Sequence, residues 1–182
     1  ISVYNKTKMI AERVFLSYMK KIDIICLRPA TVCGLSDRLR LDLTVNKLTF
    51  DAFYKNKIFV DGGKQVRPNI HIEDVVRLIK HITLGKKKFK YNIYNIGFEN
   101  LSILQIAKKI QKKTGAKIIL NKNKDIRSYR QDSSRMLKTG FKPKFSVDFA
   151  VEQLINYFNH NKKSKFGVNN FNLKKMIKLN LK

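Results

Sequence analysis

Two neighbouring stretches near the start of the chain fix the class of fold. From Lys6 to Met19 the apolar residues Met9, Ile10, Val14, Phe15 and Tyr18 recur at spacings of three and four, which places them on one side of a helix. Directly after comes the isoleucine-rich run Ile22 to Leu27, apolar on both alternate faces and stopped by Arg28-Pro29. A strand of that kind must be covered above and below, as a buried parallel strand is. Helix followed by buried strand is half of an α/β repeat, so the expected fold class is α/β.

The rest of the chain continues the alternation. Leu39 to Tyr54 reads as helix, Lys57 to Val60 as a short strand, and Asp61-Gly62-Gly63-Lys64 as a turn. A helix to about Leu84 starts at His71, where Glu73 and Asp74 bring negative charge to its N-terminus. The lysine cluster Gly85 to Lys90 is a solvated loop, and Tyr91 to Ile96, bounded by Gly97, is a strand. Ser102 with Gln105 forms a capping box for a helix reaching Thr114 and ended by Gly115. Strand Lys117 to Leu120, a short helix Ser133 to Thr139 closed by Gly140, and an amphipathic helix Val147 to Phe158 complete the body. Residues 160–182 are mostly Lys, Asn and isolated hydrophobes, and are expected to form a basic, poorly ordered tail with at most a short helix near Leu173 to Leu179.

Charge is the loudest feature of the composition: 39 basic residues against 13 acidic ones give a formal +26. Such a field attracts polyanions, and a basic nucleic-acid or polyanion-binding protein is the alternative functional class. The lysines, however, are spread over every segment, with no basic helix, aromatic sheet motif or finger spacing, so no specific nucleic-acid partner is expected. Cys26 and Cys33 lack the clustered His or Cys of a zinc site. The longest apolar runs are too short to cross a bilayer and the chain does not open as a signal peptide, so a cytoplasmic protein without a membrane partner is expected.

Tyr4 and Lys8 are four residues apart, on one face of the first helix. A tyrosine hydroxyl ordinarily titrates near pH 10, and a fixed ammonium beside it favours the phenolate, so such a pair can move a proton from a sugar hydroxyl while hydride leaves the same carbon. With roughly one position in five basic and seven tyrosines, a cation at i+4 arises about once by chance. The pair gains meaning only from its surroundings.

Those surroundings carry a resemblance. Tyr4-Asn-Lys-Thr-Lys8, then Ala11-Glu12, then Leu27-Arg28-Pro29-Ala30-Thr31-Val32-Cys33-Gly34 resemble the Tyr-x-x-x-Lys helix and Arg-Pro-x-x-Val-Tyr-Gly loop of extended short-chain dehydrogenases, specifically the NAD-dependent nucleotide-sugar epimerases and dehydratases. Cys33 stands where a tyrosine is usual. The resemblance continues through Asn46, Lys57-Ile-Phe-Val-Asp-Gly62, Arg67, Ile70-His71-Ile72-Glu73-Asp74-Val75, Tyr94-Asn95-Ile96-Gly97, Arg127-Ser-Tyr-Arg130 and Thr139-Gly140-Phe141-Lys142-Pro143, collinear over residues 1–159.

It implies that residues 1–159 are the C-terminal part of a Rossmann-like doubly wound parallel sheet plus a small α/β substrate-binding lobe. Tyr4 would be the general acid/base and Lys8 would contact the nicotinamide ribose, while Pro29, Ala30, Thr31 and Val32 would present backbone to the nicotinamide of NAD or NADP. Asn46 would meet the nucleoside-diphosphate sugar near its phosphates, Val60 would flank the base, and Arg67 with Arg127 or Arg130 would clamp the diphosphate. The reaction would be transient oxidation of the sugar followed by epimerisation, dehydration or reduction, in a full-length parent that is a possible homodimer. Read from the residues alone, Arg28 suits a salt bridge at a strand end, His71 a hydrogen bond at a helix start, and Asp74 loop packing.

A dinucleotide site of this type opens with strand, glycine-rich turn and helix. The eight glycines, at 34, 62, 63, 85, 97, 115, 140 and 167, give no G-x-G-x-x-G or G-x-x-G-x-x-G spacing. The chain is therefore expected to be truncated relative to that family, by gene disruption, a split gene or an artificial boundary, and by itself aggregation-prone and inactive. If the gene is split, an N-terminal half is the implied partner.

Overall fold

The computed structural model describes residues 3–85, 89–121, 127–162 and 166–180. Helix α1 (Val3–Ser17) forms where the three-and-four spacing placed it, yet none of its side chains is buried, and Met9, Ile10, Val14 and Phe15 all face outward. Strand β1 (Cys26–Pro29) follows and pairs in parallel with β5 (Ile93–Ile96), Cys26 opposite Ile93 and Pro29 opposite Ile96. The strand expected at Ile22 to Leu27 is thus shifted towards Pro29. Its ladder partner sets the length: pairing begins where the Cys26 N–H donates to the Asn92 carbonyl at 2.7 Å. The expected burial on two faces is not met either, since β1 is half-buried or exposed and Ile22 is 57% exposed.

After β1 the chain changes sheets. The Ala30 N–H still reaches the Ile96 carbonyl at 3.0 Å, but β2 (Thr31–Cys33) pairs in parallel with β4 (Val66–His71), which pairs antiparallel with β6 (Glu99–Ser102). A third ladder joins β3 (Lys57–Asp61) in parallel to β7 (Lys117–Asn121). Ile58 and Val60 turn inward from β3 while Lys57, Phe59 and Asp61 turn out, the two-residue period of a strand covered on one face.

Helix α2 (Thr44–Lys55) starts five residues later than expected. Leu39 and Leu41 are both buried although two apart, a spacing an extended segment satisfies and a helix does not. Helix α3 (Ile72–Thr83) is capped by His71, whose Nδ1 accepts the Glu73 N–H at 3.1 Å. Helix α4 (Ile103–Thr114) has the expected capping box: Ser102 Oγ accepts from the Gln105 N–H at 3.1 Å and Gln105 Oε1 from the Ser102 N–H at 2.8 Å. Gly115 closes it in the left-handed region, φ 73°. Helices α5 (Ser134–Leu137), α6 (Val147–His160) and α7 (Asn172–Lys178) complete the chain, with a 3-10 turn at Val168–Asn170.

Apolar side chains gather in three cores. One, around Ile70, Leu78, Tyr94, Ile96, Met136 and Phe141, lies beneath β1 and β5. A second joins α2, β3, α4 and α6 through Val45, Ile58, Val60, Ile106, Ile110 and Val151, and constitutes a small α/β lobe. The third is aromatic: Leu39, Leu41, Leu154 and Phe158 with Phe50, Phe53, Phe166 and Phe171. This last core departs from the expected loose tail. Residues 166–180 fold back on the body because Phe166 and Phe171 add to the rings that α2 and α6 already bring together, Phe50, Phe53 and Phe158, and Asn170 supplies the backbone partner of Leu41 at 2.8 Å. The α/β class with parallel strand pairs is as expected.

Candidate active site

The start of α1, β2, the entry to α2, β4, the start of α4 and residues 127–129 together line a cavity of about 700 Å3, with Tyr4, Thr31, Asp42, Arg67, Arg127 and Tyr129 in its wall. Tyr4 stands in the first turn of α1 and is 67% exposed, with the Lys8 ammonium 5.5 Å from its ring centroid. The helix sets that spacing, as four residues advance little more than one turn. Thr31 enters because the chain crosses from β1 to β2 at this point. Arg67 comes from β4, where it is held on its edge by its own chain: its Nη1 donates to the Val66 carbonyl at 3.0 Å and to the Arg127 carbonyl.

The segment after β7 is fastened to the same strand. Val66 N–H donates to Ser128 Oγ at 3.0 Å, and the Tyr129 N–H to the Val66 carbonyl at 3.3 Å. The Arg67 guanidinium then lies 5.4 Å from the Tyr129 ring centroid, a cation over an aromatic face. The cavity lining therefore carries the Arg67 guanidinium and Arg127, together with the Tyr4 phenol that has the Lys8 ammonium beside it. Such a cavity suits an elongated ligand with phosphates at one end and a reacting hydroxyl at the other.

The wall at Asp42 is braced from behind. Arg40 forks onto the Asp42 carboxylate, both contacts at 3.0 Å, and the Asn172 N–H donates to it at 3.0 Å. Burial pushes the Asp42 carboxyl up, but the Arg40 fork and the Asn172 N–H outweigh it and hold the group below its usual range. On the far side of β1, Arg28 forks onto Glu12 of α1 at 2.8 and 2.6 Å, the strand-end salt bridge that its position suggested. The hydrogen bonds from Arg28 hold the Glu12 carboxyl below its usual range.

Of the residues singled out in the sequence, Tyr4, Thr31, Arg67 and Arg127 line the cavity. Arg130 is exposed and is not in that lining. Asn46 is buried, and its amide is fully engaged: Oδ1 accepts the Gly34 N–H at 3.0 Å, and Nδ2 donates to the carbonyls of Gly34 at 3.2 Å and Arg40 at 3.0 Å. Val60 is buried in the lobe core. Both shape the cavity from behind instead of lining it. His71 and Asp74 have the supporting roles read from the sequence: His71 caps α3, and Asp74 accepts the N–H groups of Lys144 and Phe145. Burial drives the Cys33 thiol up to about 12, so the residue that replaces a tyrosine is a neutral core group whose Sγ lies 3.5 Å from the Ile70 carbonyl.

Asp42, Thr44 and Tyr129 were not anticipated. Tyr129 sits between two arginines in Arg127-Ser-Tyr-Arg130, and that alternation was the available signal; Asp42 and Thr44 carried none. Among the described residues no three His, Cys, Asp or Glu are grouped to hold a metal ion, and no helix is long and apolar enough to cross a membrane. The donor set does suit the nicotinamide end of a dinucleotide. A phenol and an ammonium on one helix face can hydrogen-bond to hydroxyl groups such as those of a ribose, and Thr31 of the β1–β2 connection lines the same cavity as Tyr4.

Comparison with known proteins gives a family and a fold. The profile of the "NAD dependent epimerase/dehydratase family" matches residues 1–97. Among solved structures, the chain is similar to the UDP-glucose 4-epimerase of Thermotoga maritima with UDP-glucose, at TM-score 0.75 and 22% identity over 89% of this chain and 55% of that one. It is similar also to the UDP-glucuronic acid 4-epimerase of Bacillus cereus in complex with NAD, at TM-score 0.73 and 26% identity over 88% and 53%. A third likeness is to the ADP-L-glycero-D-manno-heptose-6-epimerase of Helicobacter pylori, at TM-score 0.73 and 18% identity over 87% and 51%. The chain spans about half the length of each.

Proposed function

The chain belongs to the NAD dependent epimerase/dehydratase family, and on that premise we propose that it carries the proton-transfer and substrate-binding side of an enzyme acting on a nucleoside-diphosphate sugar. The observation that carries this reading is that Tyr4, Thr31, Arg67 and Arg127, residues of four separate segments, line one cavity. Tyr4 Oη takes the proton of the sugar hydroxyl and returns it in the reverse step. Lys8 holds the ribose and keeps positive charge beside the phenol. Bound NAD supplies the acceptor for the hydride that leaves the same carbon. Arg67 and Arg127 hold the diphosphate, the more firmly because the Arg67 plane is fixed by two carbonyls and Tyr129 before any ligand arrives.

Residues 1–159 are the proposed catalytic and substrate portion. Activity is assigned to the assembled protein, in which a glycine-rich dinucleotide-binding half completes the cofactor site. The outward apolar face of α1, with Met9, Ile10, Val14 and Phe15, is the surface on which that half packs. The UDP-sugar and NAD complexes of the structurally similar epimerases support the ligand classes.

The test is reconstitution. The 182-residue chain alone is expected to show no NAD binding by calorimetry and no turnover; with a relative's dinucleotide-binding half supplied in trans or fused ahead of Ile1, conversion of UDP-sugars is expected. In that assembly Tyr4→Phe lowers kcat by roughly 100- to 10,000-fold with KM little changed. Turnover at the parental rate in Tyr4→Phe would remove Tyr4 from the chemistry.

A further inference from the structure

Helix α7 turns its apolar residues the wrong way for a helix that only closes a core. Leu173 is 69% and Ile177 66% exposed, and Met176 and Leu179 are exposed as well. Leu173 and Ile177 are four apart and so lie on one face, while Lys174 and Lys178, also four apart and exposed, flank it. The helix is held to the body at its N-terminal end. Phe171 packs in the aromatic core, Asn170 Nδ2 donates to the Leu39 carbonyl at 2.8 Å, and Arg38 Nη2 donates to Asn172 Oδ1 at 2.7 Å. The outward face thus follows directly on an anchored N-terminal end.

We propose that α7 is a peripheral membrane-docking helix that lies on an anionic lipid surface, with Leu173, Met176 and Ile177 entering the headgroup boundary and Lys174 and Lys178 among the lipid phosphates. Charge selects this occupant. From residue 160 to 182 the sequence carries Lys162, Lys163, Lys165, Lys174, Lys175, Lys178 and Lys182 and no Asp or Glu. A second copy of a chain with formal charge +26 would bring like charge against this face. Nucleic acid would satisfy the lysines and leave the exposed Leu and Ile without a partner. An anionic bilayer surface satisfies both sets at once, which is the composition of an interfacial helix. No described helix spans a membrane, and lying on one is a different relation that asks only for a short amphipathic face.

Docking here has a consequence for the cavity. The Asn172 N–H at the start of α7 bonds Asp42, a residue of the cavity wall. The site that the cavity forms is thus placed beside the surface on which α7 lies.

The experiment is vesicle sedimentation of the 182-residue chain at about 0.15 M salt, comparing phosphatidylcholine vesicles with vesicles one third phosphatidylglycerol. Binding to the anionic vesicles alone is expected. Leu173→Gln with Ile177→Gln, which leaves the charge unchanged, is expected to weaken it roughly tenfold, and Lys174→Gln with Lys178→Gln to weaken it severalfold. Lys112→Gln on α4 is the control and is expected to change little. A Leu173→Trp variant gives a second readout, because the chain has no other tryptophan: its emission shifts to the blue on anionic vesicles only. The proposal is overturned if the Gln pair at 173 and 177 binds as tightly as the parent, if Lys112→Gln weakens binding as much as Lys174→Gln with Lys178→Gln, or if the tryptophan emission does not move while the protein pellets. It is equally overturned if the Gln pair at 173 and 177 dissolves a dimer in sedimentation equilibrium without affecting lipid binding, which would make the face a contact between copies.

Discussion

The backbone at Gly34 passes directly against the His71 imidazole, so closely that a Cβ at position 34 would stand 2.4 Å from Nε2. Gly34 also has φ 101°, a conformation L side chains rarely adopt, and Asn46 holds both its N–H and its carbonyl. Glycine at this place is fixed by contact and by dihedral together. Gly34→Ala is expected to destabilise the chain by about 1–3 kcal/mol, read as a lower urea midpoint. A midpoint equal to the parent's would mean that the loop from Gly34 to Asp42 relaxes freely and does not hold the cavity wall.

His71 itself gives the fold a pH dependence of defined sign. Burial lowers its pKa in the folded chain, against hydrogen bonding with Gln153 and the negative charges of Asp74 and Glu73, which raise it. The unfolded chain therefore takes up the proton first as pH falls, and stability drops from about pH 6.5 downward through the folded pKa. Denaturation at pH 7 and at pH 5.5 is expected to show a lower midpoint at pH 5.5, with the difference diminished in His71→Gln. An unchanged difference in that variant would assign the effect to other groups.

How much of this was legible in the sequence depended on whether a residue's role was local. The capping box of Ser102 and Gln105, the Gly115 stop, the His71 helix start and the strand-end pairing of Arg28 all rest on contacts close in the chain or on a plain charge match, and each was found as read. Strands β2, β4 and β6 were missed because Val66–His71 has an Arg, a Pro and an Asn within six residues and becomes a strand only through its two neighbours. Tyr4, Thr31, Arg67 and Arg127 came from the family resemblance, not from periodicity; Asp42 and Tyr129 needed the return of residues 127–129 onto β4 and of 166–172 onto the segment before α2, which no periodicity announces. The packing of residues 166–180 was not legible for the same reason, since Phe166 and Phe171 are sparse rings that gain partners from α2, α6 and the segment before α2.

The fixed plane of Arg67 leads to a prediction about substitution by lysine. Its guanidinium spans two carbonyls and lies over Tyr129, which an ammonium on a flexible stem does not reproduce. In the reconstituted enzyme Arg67→Lys is expected to raise KM for the nucleotide sugar about tenfold or more while kcat changes far less. Recovery of the parental KM in the lysine variant would show that position 67 contributes charge alone.

Ending the chain at residue 165 tests whether the C-terminal segment belongs to the fold. That truncation removes Phe166 and Phe171 from the ring cluster and takes away the Asn170 carbonyl that receives the Leu41 N–H. It also removes the Asn172 N–H from Asp42, leaving Arg40 as its remaining named donor and exposing Leu39 and Leu41, which are buried in the whole chain. The two phenylalanines are half-buried, so a loss of about 2–4 kcal/mol is expected, below that of two fully buried rings. Hydrogen exchange at the Leu41 amide should quicken by more than the global loss accounts for, because its acceptor is gone as well as its cover. Stability alone could fall through any lost apolar contact; the Leu41 amide reports one of the hydrogen bonds that tie residues 166–180 to the segment leading into the cavity wall, and parental protection there would show that this segment stands without it.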